Sequence, residues 1–180
     1  IYSILEDKQK KSIPVISKAI AFFSEKKVDS FVLTAGRIDI PNEDFFKNNP
    51  VNIIKLFYHS MKKSVFIHPN AIRVLRKNLN LINRELRESD IANEIFLKIL
   101  LNDENSEKTL RAMNETGVLG RFIIDFGKIV GLMQFNMYHH YTADEHLLRA
   151  IGELSKLFSK QKKSITNLIS ELIDSGLNKK

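Results

Sequence analysis

Apolar residues along most of the chain recur every three or four positions, the spacing that lines one face of a helix. Near the N-terminus Val15, Ile16, Ala19, Ile20 and Phe23 share such a face. They follow Ser12 and Pro14, a helix start with proline in its first turn, and Lys26 and Lys27 stand where cations favour a helix end. Asn49-Pro50 opens a second helix with Ile54, Phe57 and Met61 on one face and His59 off it, a surface or satisfied residue. His68 is biased away from the α region by Pro69, and Asn70 is placed to cap a long helix. On that helix Ile72, Leu75, Leu79, Ile82 and Leu86 form a core-facing seam. Ser89 caps a further helix that carries Ile91, Ala92, Ile95, Phe96 and Ile99 inside. A polar break over Asn102 to Asn105 precedes a short helix from Ser106, with Leu110 and Met113, ending near Gly117. The last two helices run from Ala143 to Ser159, with Leu147, Ile151, Leu154 and Phe158 as the apolar face, and from Ser164 to Ser175, with Leu168, Leu172 and Ile173. Lys160 to Lys163 is their solvated connection.

Two stretches depart from this period. In Ser30–Ile40, Phe31 to Leu33 and Ile38 to Ile40 flank Ala35-Gly36, a pattern that predicts a small hairpin packed on helices. Met113–Arg149 holds four of the seven glycines and three of the five histidines. Gly117, Gly120, Gly127 and Gly131 interrupt an apolar run, at about 1 kcal/mol each inside a helix, so a positive-φ turn or close backbone packing must offset them. Gly117 is predicted to end the Ser106 helix in a left-handed cap, Gly120 to permit close packing, and Gly120 to Met133 to form two short helices around Asp125-Phe126-Gly127. That tripeptide is not a kinase signature, since the chain has neither a glycine-rich loop nor a His-Arg-Asp motif. Thr142 to Glu145 reads as a capping box, with His146 in the first turns of its helix. The fold class expected is mainly α, a multi-helix bundle-like domain with one small β-hairpin.

A chain of 180 residues, 43% hydrophobic and without tryptophan, suits one domain or one and a small piece. The absence of cysteine excludes disulfides and a zinc ribbon and fits a cytoplasmic protein. No run of about 18 apolar residues predicts a membrane span. The net charge of +7 invites a nucleic-acid reading, but the lysines come as scattered pairs rather than a stripe interleaved with aromatics, so a solvated surface is expected and no nucleic-acid partner. The start at Ile1 and the end at Lys180 suggest a segment of a longer protein.

The residues Met113-Asn114-Glu115, Gly117 to Phe122, Asp125 to Gly131, Met133-Gln134 and His139 to Leu147 together make a long, specific motif. On these the chain resembles the bifunctional PII uridylyltransferase/uridylyl-removing enzymes, bacterial nitrogen-status sensors, in their alphaproteobacterial form. The likeness extends more loosely through Ser30–Ile40, Asn49–Phe57 and His68–Leu75. Phe135-Asn136 stands where many members have His-Asp, and Ile124 where they usually have proline, which weakens the expected break between Ile123 and Asp125.

The resemblance implies an enzyme that transfers UMP from UTP to the PII signalling protein and hydrolyses it off again, with glutamine as a regulatory ligand. It places residues 1–141 in the helical connecting domain that follows the nucleotidyltransferase unit, and 142–180 in the opening helices of an HD-type metal phosphohydrolase unit. The transferase site needs a Gly-Ser motif and paired acidic residues, and this chain has no Gly-Ser dipeptide and no Asp-x-Asp triplet. The removal site holds a divalent metal, Mg or Mn, on a His, a His-Asp pair and a later Asp. By the resemblance His146 is the first of those ligands, and the chain contains no His-Asp dipeptide. From the residues alone, His146 reads first as an exposed histidine beside a helix cap, and it is the resemblance that favours the metal-ligand role. His139 and His140 could offer a local zinc site, but adjacent histidines point apart, and a hydrogen-bonding role in the Tyr138–Thr142 turn is favoured. Tyr138, Tyr141 and Asp144 are candidates to orient a ligand rather than to bind metal. The chain alone is expected to be a structural and interaction piece with no catalytic residues, no tightly bound metal and no activity of its own. The alternative is a free-standing helical protein-interaction module with no catalytic parent.

Overall fold

A computed structural model describes residues 29–102, 104–132 and 142–157. It opens with an antiparallel hairpin, β1 (Val32–Thr34) and β2 (Arg37–Asp39), in the register Val32–Asp39, Leu33–Ile38 and Thr34–Arg37. Helices follow: α1 (Phe45–Asn48), α2 (Asn52–Lys63), α3 (Pro69–Lys77), a 3-10 turn (Leu79–Leu81), α4 (Arg84–Glu88), α5 (Asp90–Leu100), α6 (Ser106–Glu115), α7 (Leu119–Phe122) and α8 (Ile124–Ile129). A further helix, α9, is described over 143–157. The described residues therefore form the mainly α fold with one small hairpin that the pattern predicts. None of their helices is long and apolar enough to cross a membrane.

The hairpin turn has positive φ at both central residues, 50° at Ala35 and 75° at Gly36, as a type I′ turn requires. The outer edge of β2 is not left open. Ile38 N–H donates to Phe66 O at 2.9 Å and His68 N–H donates to Ile38 O at 2.8 Å, so residues 66–68 pair beside it. Phe31, Ile38 and Ile40 are buried, and the Phe31 ring meets Phe45 edge-on at 4.9 Å. The helical body thus supplies the burial that a lone two-stranded hairpin lacks. Helix α2 is central, with Ile53, Ile54, Leu56 and Phe57 fully covered, and it packs on α5, α6, α1 and β2. His59 is satisfied as expected: its Nε2 lies 3.3 Å from the Asp29 carboxylate.

The long helix expected after His68 is interrupted. The Asn78 side chain, buried, donates to Val74 O at 2.9 Å and closes α3, and Asn83 accepts the Leu86 N–H at 3.0 Å to start α4. Asparagine offers the backbone local partners that compete with continued helix. Leu75, Ile82 and Leu86 of the seam remain buried because the intervening 3-10 turn returns them to the same side. The cap of α3 is His68, whose Nδ1 takes the Asn70 N–H at 3.2 Å, and Asn70 instead turns its amide to Asp39. Ser89 caps α5 as expected, but Ile91 is exposed, since it stands a full residue of rotation before the buried Ala92, Ile95, Phe96 and Ile99.

Gly117, at φ 80°, ends α6. Val118 N–H donates to Met113 O and Gly117 N–H to Asn114 O, both at 2.9 Å, and Met113 and Val118 are both buried. This pair of bonds and its apolar accompaniment are the Schellman arrangement. Gly117→Ala is expected to lower stability by about 1 kcal/mol, because a Cβ disfavours the left-handed region. Urea unfolding reads this directly, and an unchanged midpoint would argue against the cap.

Helices α7 and α8 meet backbone to backbone. A Cβ on Gly120 would lie 3.0 Å from Gly127 Cα, and one on Gly127 would lie 2.3 Å from Gly120 O. The bend between them falls at Ile123 (φ −105°, ψ 96°), so Asp125-Phe126-Gly127 lies inside α8 rather than between two helices. Ile124 is the first residue of α8, where proline fits best, and the extended Ile123 before it is already compatible with proline. The break thus persists without the proline. Ile124→Pro is expected to raise stability by about 0.5–1 kcal/mol through the unfolded chain. A lowered melting temperature would contradict that placement.

The face of α9 also differs from expectation. Leu148, Asp144 and Gly152 are buried, whereas Leu147 is 44% and Leu154 52% exposed. Polar contacts to α6, described below, select this face over the apolar stripe. The expected N-terminal helix, Met133, the expected Tyr138–Tyr141 turn, Phe158 and the helix expected over Ser164–Ser175 fall outside the described residues.

Candidate functional site

The first two turns of α9 are clasped onto α6. Asp144 Oδ2 accepts the Asn114 amide at 3.0 Å, and its Oδ1 accepts the Gly131 N–H at 3.3 Å. One buried carboxylate therefore joins α6, the end of α8 and α9. Burial pushes the Asp144 carboxyl up, but the Thr142 hydroxyl, the Asn114 amide and the Gly131 N–H together outweigh it and hold it below its usual value. One residue along, Glu145 accepts from Arg111 Nη1 at 2.5 Å and from Arg149 Nε at 3.3 Å, while Arg111 Nη2 donates to Glu107 at 2.9 Å. The hydrogen bond from Arg111 is the main reason that the Glu145 carboxyl is lowered. Gly152 admits the Glu107 side chain, since a Cβ there would come within 2.1 Å of the Glu107 carboxylate.

The expected capping box is replaced by this clasp. Thr142 O accepts the His146 N–H at 3.1 Å and so opens the helix, but Glu145 is turned to Arg111 and the Thr142 hydroxyl serves Asp144. Asp144, expected as a ligand-orienting residue, fixes the helix that carries His146.

His146 is exposed, on the side of α9 away from Asp144 and Leu148. The carboxylates beside it are committed to Asn114, Gly131, Arg111 and Arg149. Among the described residues no group of three or more His, Asp, Glu or Cys is placed to hold a metal. A single imidazole does not make a metal site of ordinary affinity, so the donor set present does not by itself fit a divalent ion. His139, His140, Tyr138 and Tyr141 lie outside the described residues. Sequence reasoning missed Arg111 and Asn114 as parts of the junction. Asn114 lies in the Met113-Asn114-Glu115 motif, and Arg111 stands four residues after Glu107, the spacing of a helical ion pair. Neither signal names the partner on α9.

The arrangement sets the position and direction of α9, and with it His146, against the helical body. The family model for the uridylyltransferase GlnD third domain matches residues 31–122, just over half of the chain and the span from the hairpin to α7. Two similar curated proteins are called bifunctional uridylyltransferase/uridylyl-removing enzyme. One, from Bradyrhizobium sp. strain ORS 278, is 46% identical over 160 residues, and the other, from Bradyrhizobium sp. strain BTAi1, is 48% identical over 160 residues. Each alignment covers 85% of this chain but 17% of the relative, so the chain spans about a sixth of the length of these proteins. No solved structure matches it.

Proposed function

The chain belongs to the uridylyltransferase GlnD third-domain family, and on that premise we propose that it acts as the central helical part of a longer bifunctional enzyme. That enzyme transfers UMP from UTP to the PII protein and removes it, with glutamine as effector and divalent metal, Mg or Mn, as cofactor. The observation that carries this reading is the 46–48% identity, over 85% of the chain, to relatives of that name. In this reading residues 1–141 connect the two catalytic units and 142–180 begin the HD unit. The connecting part holds the active sites in one polypeptide in the cytoplasm and offers PII a surface, and it has no catalysis of its own.

His146 then contributes one donor to the HD-site metal, whose remaining ligands come from outside this chain. The clasp of Asp144 and Glu145 on Asn114 and Arg111 supports that role, because it holds the start of α9 rigidly while leaving the imidazole exposed. The test is a paired assay on the full-length enzyme. His146→Ala should weaken metal binding and abolish uridylyl removal while transfer continues. Retained removal would mean that His146 is not a ligand, and loss of both activities with the fold intact would assign it to coupling between units. The 180-residue chain itself should neither add UMP to PII nor remove it.

A further inference from the structure

Where β2, the 66–68 segment and the start of α3 meet, one ring nitrogen has two claimants. His68 Nδ1 accepts the Asn70 backbone N–H at 3.2 Å, the bond that caps α3. The same Nδ1 lies 3.0 Å from Asp39 Oδ2. Asp39 is buried, and its other oxygen is already engaged: Oδ1 accepts the Ile40 N–H at 2.8 Å and the Asn70 side-chain amide at 3.2 Å. The carboxylate is therefore fixed in place, with Oδ2 turned to the imidazole.

The two contacts of Nδ1 need opposite protonation states. To accept from Asn70, Nδ1 must be bare, with the ring proton on Nε2. To bond Asp39, Nδ1 must carry a proton, and on a charged ring that bond is charge-assisted. The His68 side chain is 29% exposed, so protons reach it. Histidine is the side chain whose ordinary charge change falls within the range of cellular pH. The charges around the ring leave Asp39 as its partner. On α3, Arg73 donates to Asn70 Oδ1 at 2.9 Å and to Glu43 at 2.6 Å, so its charge is matched by a carboxylate of its own. Arg37 of β2 and Lys108 of α6 lie over the Phe66 ring, at 5.8 and 4.8 Å from its centroid. The 3-10 turn packed on α3 is Leu79-Asn80-Leu81, which has no ionisable side chain.

We propose that His68 is a proton-operated helix cap: neutral, it holds the Asn70 N–H and closes the start of α3, and protonated, it releases that N–H and pairs with Asp39. The backbone bonds of His68, from its N–H to Ile38 O at 2.8 Å and from the Ile72 N–H to its O at 3.2 Å, do not involve the ring and persist in both states. The change is thus confined to the first turn of α3, which loosens in acid while the strand pairing beside β2 stays closed. This device is independent of the enzymatic reading above and uses none of the residues of α9.

Nuclear magnetic resonance on the 180-residue chain tests it. The neutral His68 ring should show a bare Nδ1 and a protonated Nε2. On mild acidification the Asn70 amide shift should follow the same curve as the ring nitrogens. Its protection, taken relative to the intrinsic exchange rate at each pH, should fall about fivefold, while Leu56 in α2 and Ile99 in α5 stay protected. A ring Nδ1 proton held by Asp39 should appear in the protonated state and vanish in Asp39→Asn. In His68→Asn, whose amide oxygen caps without titrating, Asn70 protection should not change with pH. A neutral ring with its proton on Nδ1, or an Asn70 amide that ignores the titration of the ring, overturns the proposal. So does an unaltered pH response of Asn70 in His68→Asn.

Discussion

Gly127→Ala is expected to destabilise the chain by roughly 1–3 kcal/mol, in spite of the better helix propensity of alanine. Propensity alone favours the substitution by about 1 kcal/mol. The added methyl, however, would sit 2.3 Å from Gly120 O, and what it meets is backbone rather than the end of a flexible side chain. Relief requires α7 and α8 to separate, which withdraws the buried Leu119, Phe122 and Phe126 from the core. Gly120→Ala meets Gly127 Cα at 3.0 Å, a milder conflict, and should cost less. Urea unfolding of both variants separates these expectations. A Gly127→Ala chain more stable than the wild type would show that the helices do not cross at this distance.

Asp144→Ala should release α9 at a cost of about 1 kcal/mol, because the Asn114 amide and the Gly131 N–H both lose their acceptor at a part-buried junction. Amide exchange over 143–157 should rise far more than exchange in α2, and trypsin should gain access to Arg149. The same carboxylate gives the junction a pH dependence. The Asp144 and Glu145 carboxyls are held below their ordinary values of 3.8 and 4.5. Their contribution is therefore fully present above pH 4.5 and is lost as the pH falls below 3.8, through the lowered folded-state values. Protection over 143–157, taken relative to the intrinsic exchange rate at each pH, should fall steeply on acidification in the wild type and less steeply in Asp144→Ala. Equal slopes would remove Asp144 from the clasp.

What could be read from the sequence was local. The Ala35-Gly36 turn, the Ser89 cap and the Gly117 helix end are each decided by a few neighbouring residues whose chemistry is short-range. The interruption at Asn78 was hidden because a 3-10 turn leaves the apolar spacing of Leu75, Ile82 and Leu86 nearly unchanged. His68 outcompeted Asn70 as a cap because the cap position is the extended residue before proline, and an imidazole nitrogen accepts as well as an amide oxygen does. On α9 the stripe of Leu147 and Leu154 and the row of Asp144, Leu148 and Gly152 have the same period. A carboxylate binding an amide 30 residues away decides between them, and no local pattern records that distance. The matched motif contains both Asn114 and Asp144, yet their pairing is visible only once α6 and α9 are side by side.

The pairing of residues 66–68 along β2 has a consequence outside this fold. A strand edge with free N–H and C=O groups is a template on which another chain can add. Here the Ile38 N–H and C=O are both occupied by the chain's own Phe66 and His68, two residues held in place by the ends of α2 and α3. A newly made chain that has folded this far presents no growing edge on that side. Intermolecular sheet, the usual route to aggregates during synthesis, is denied its starting point there before the rest of a long polypeptide has emerged.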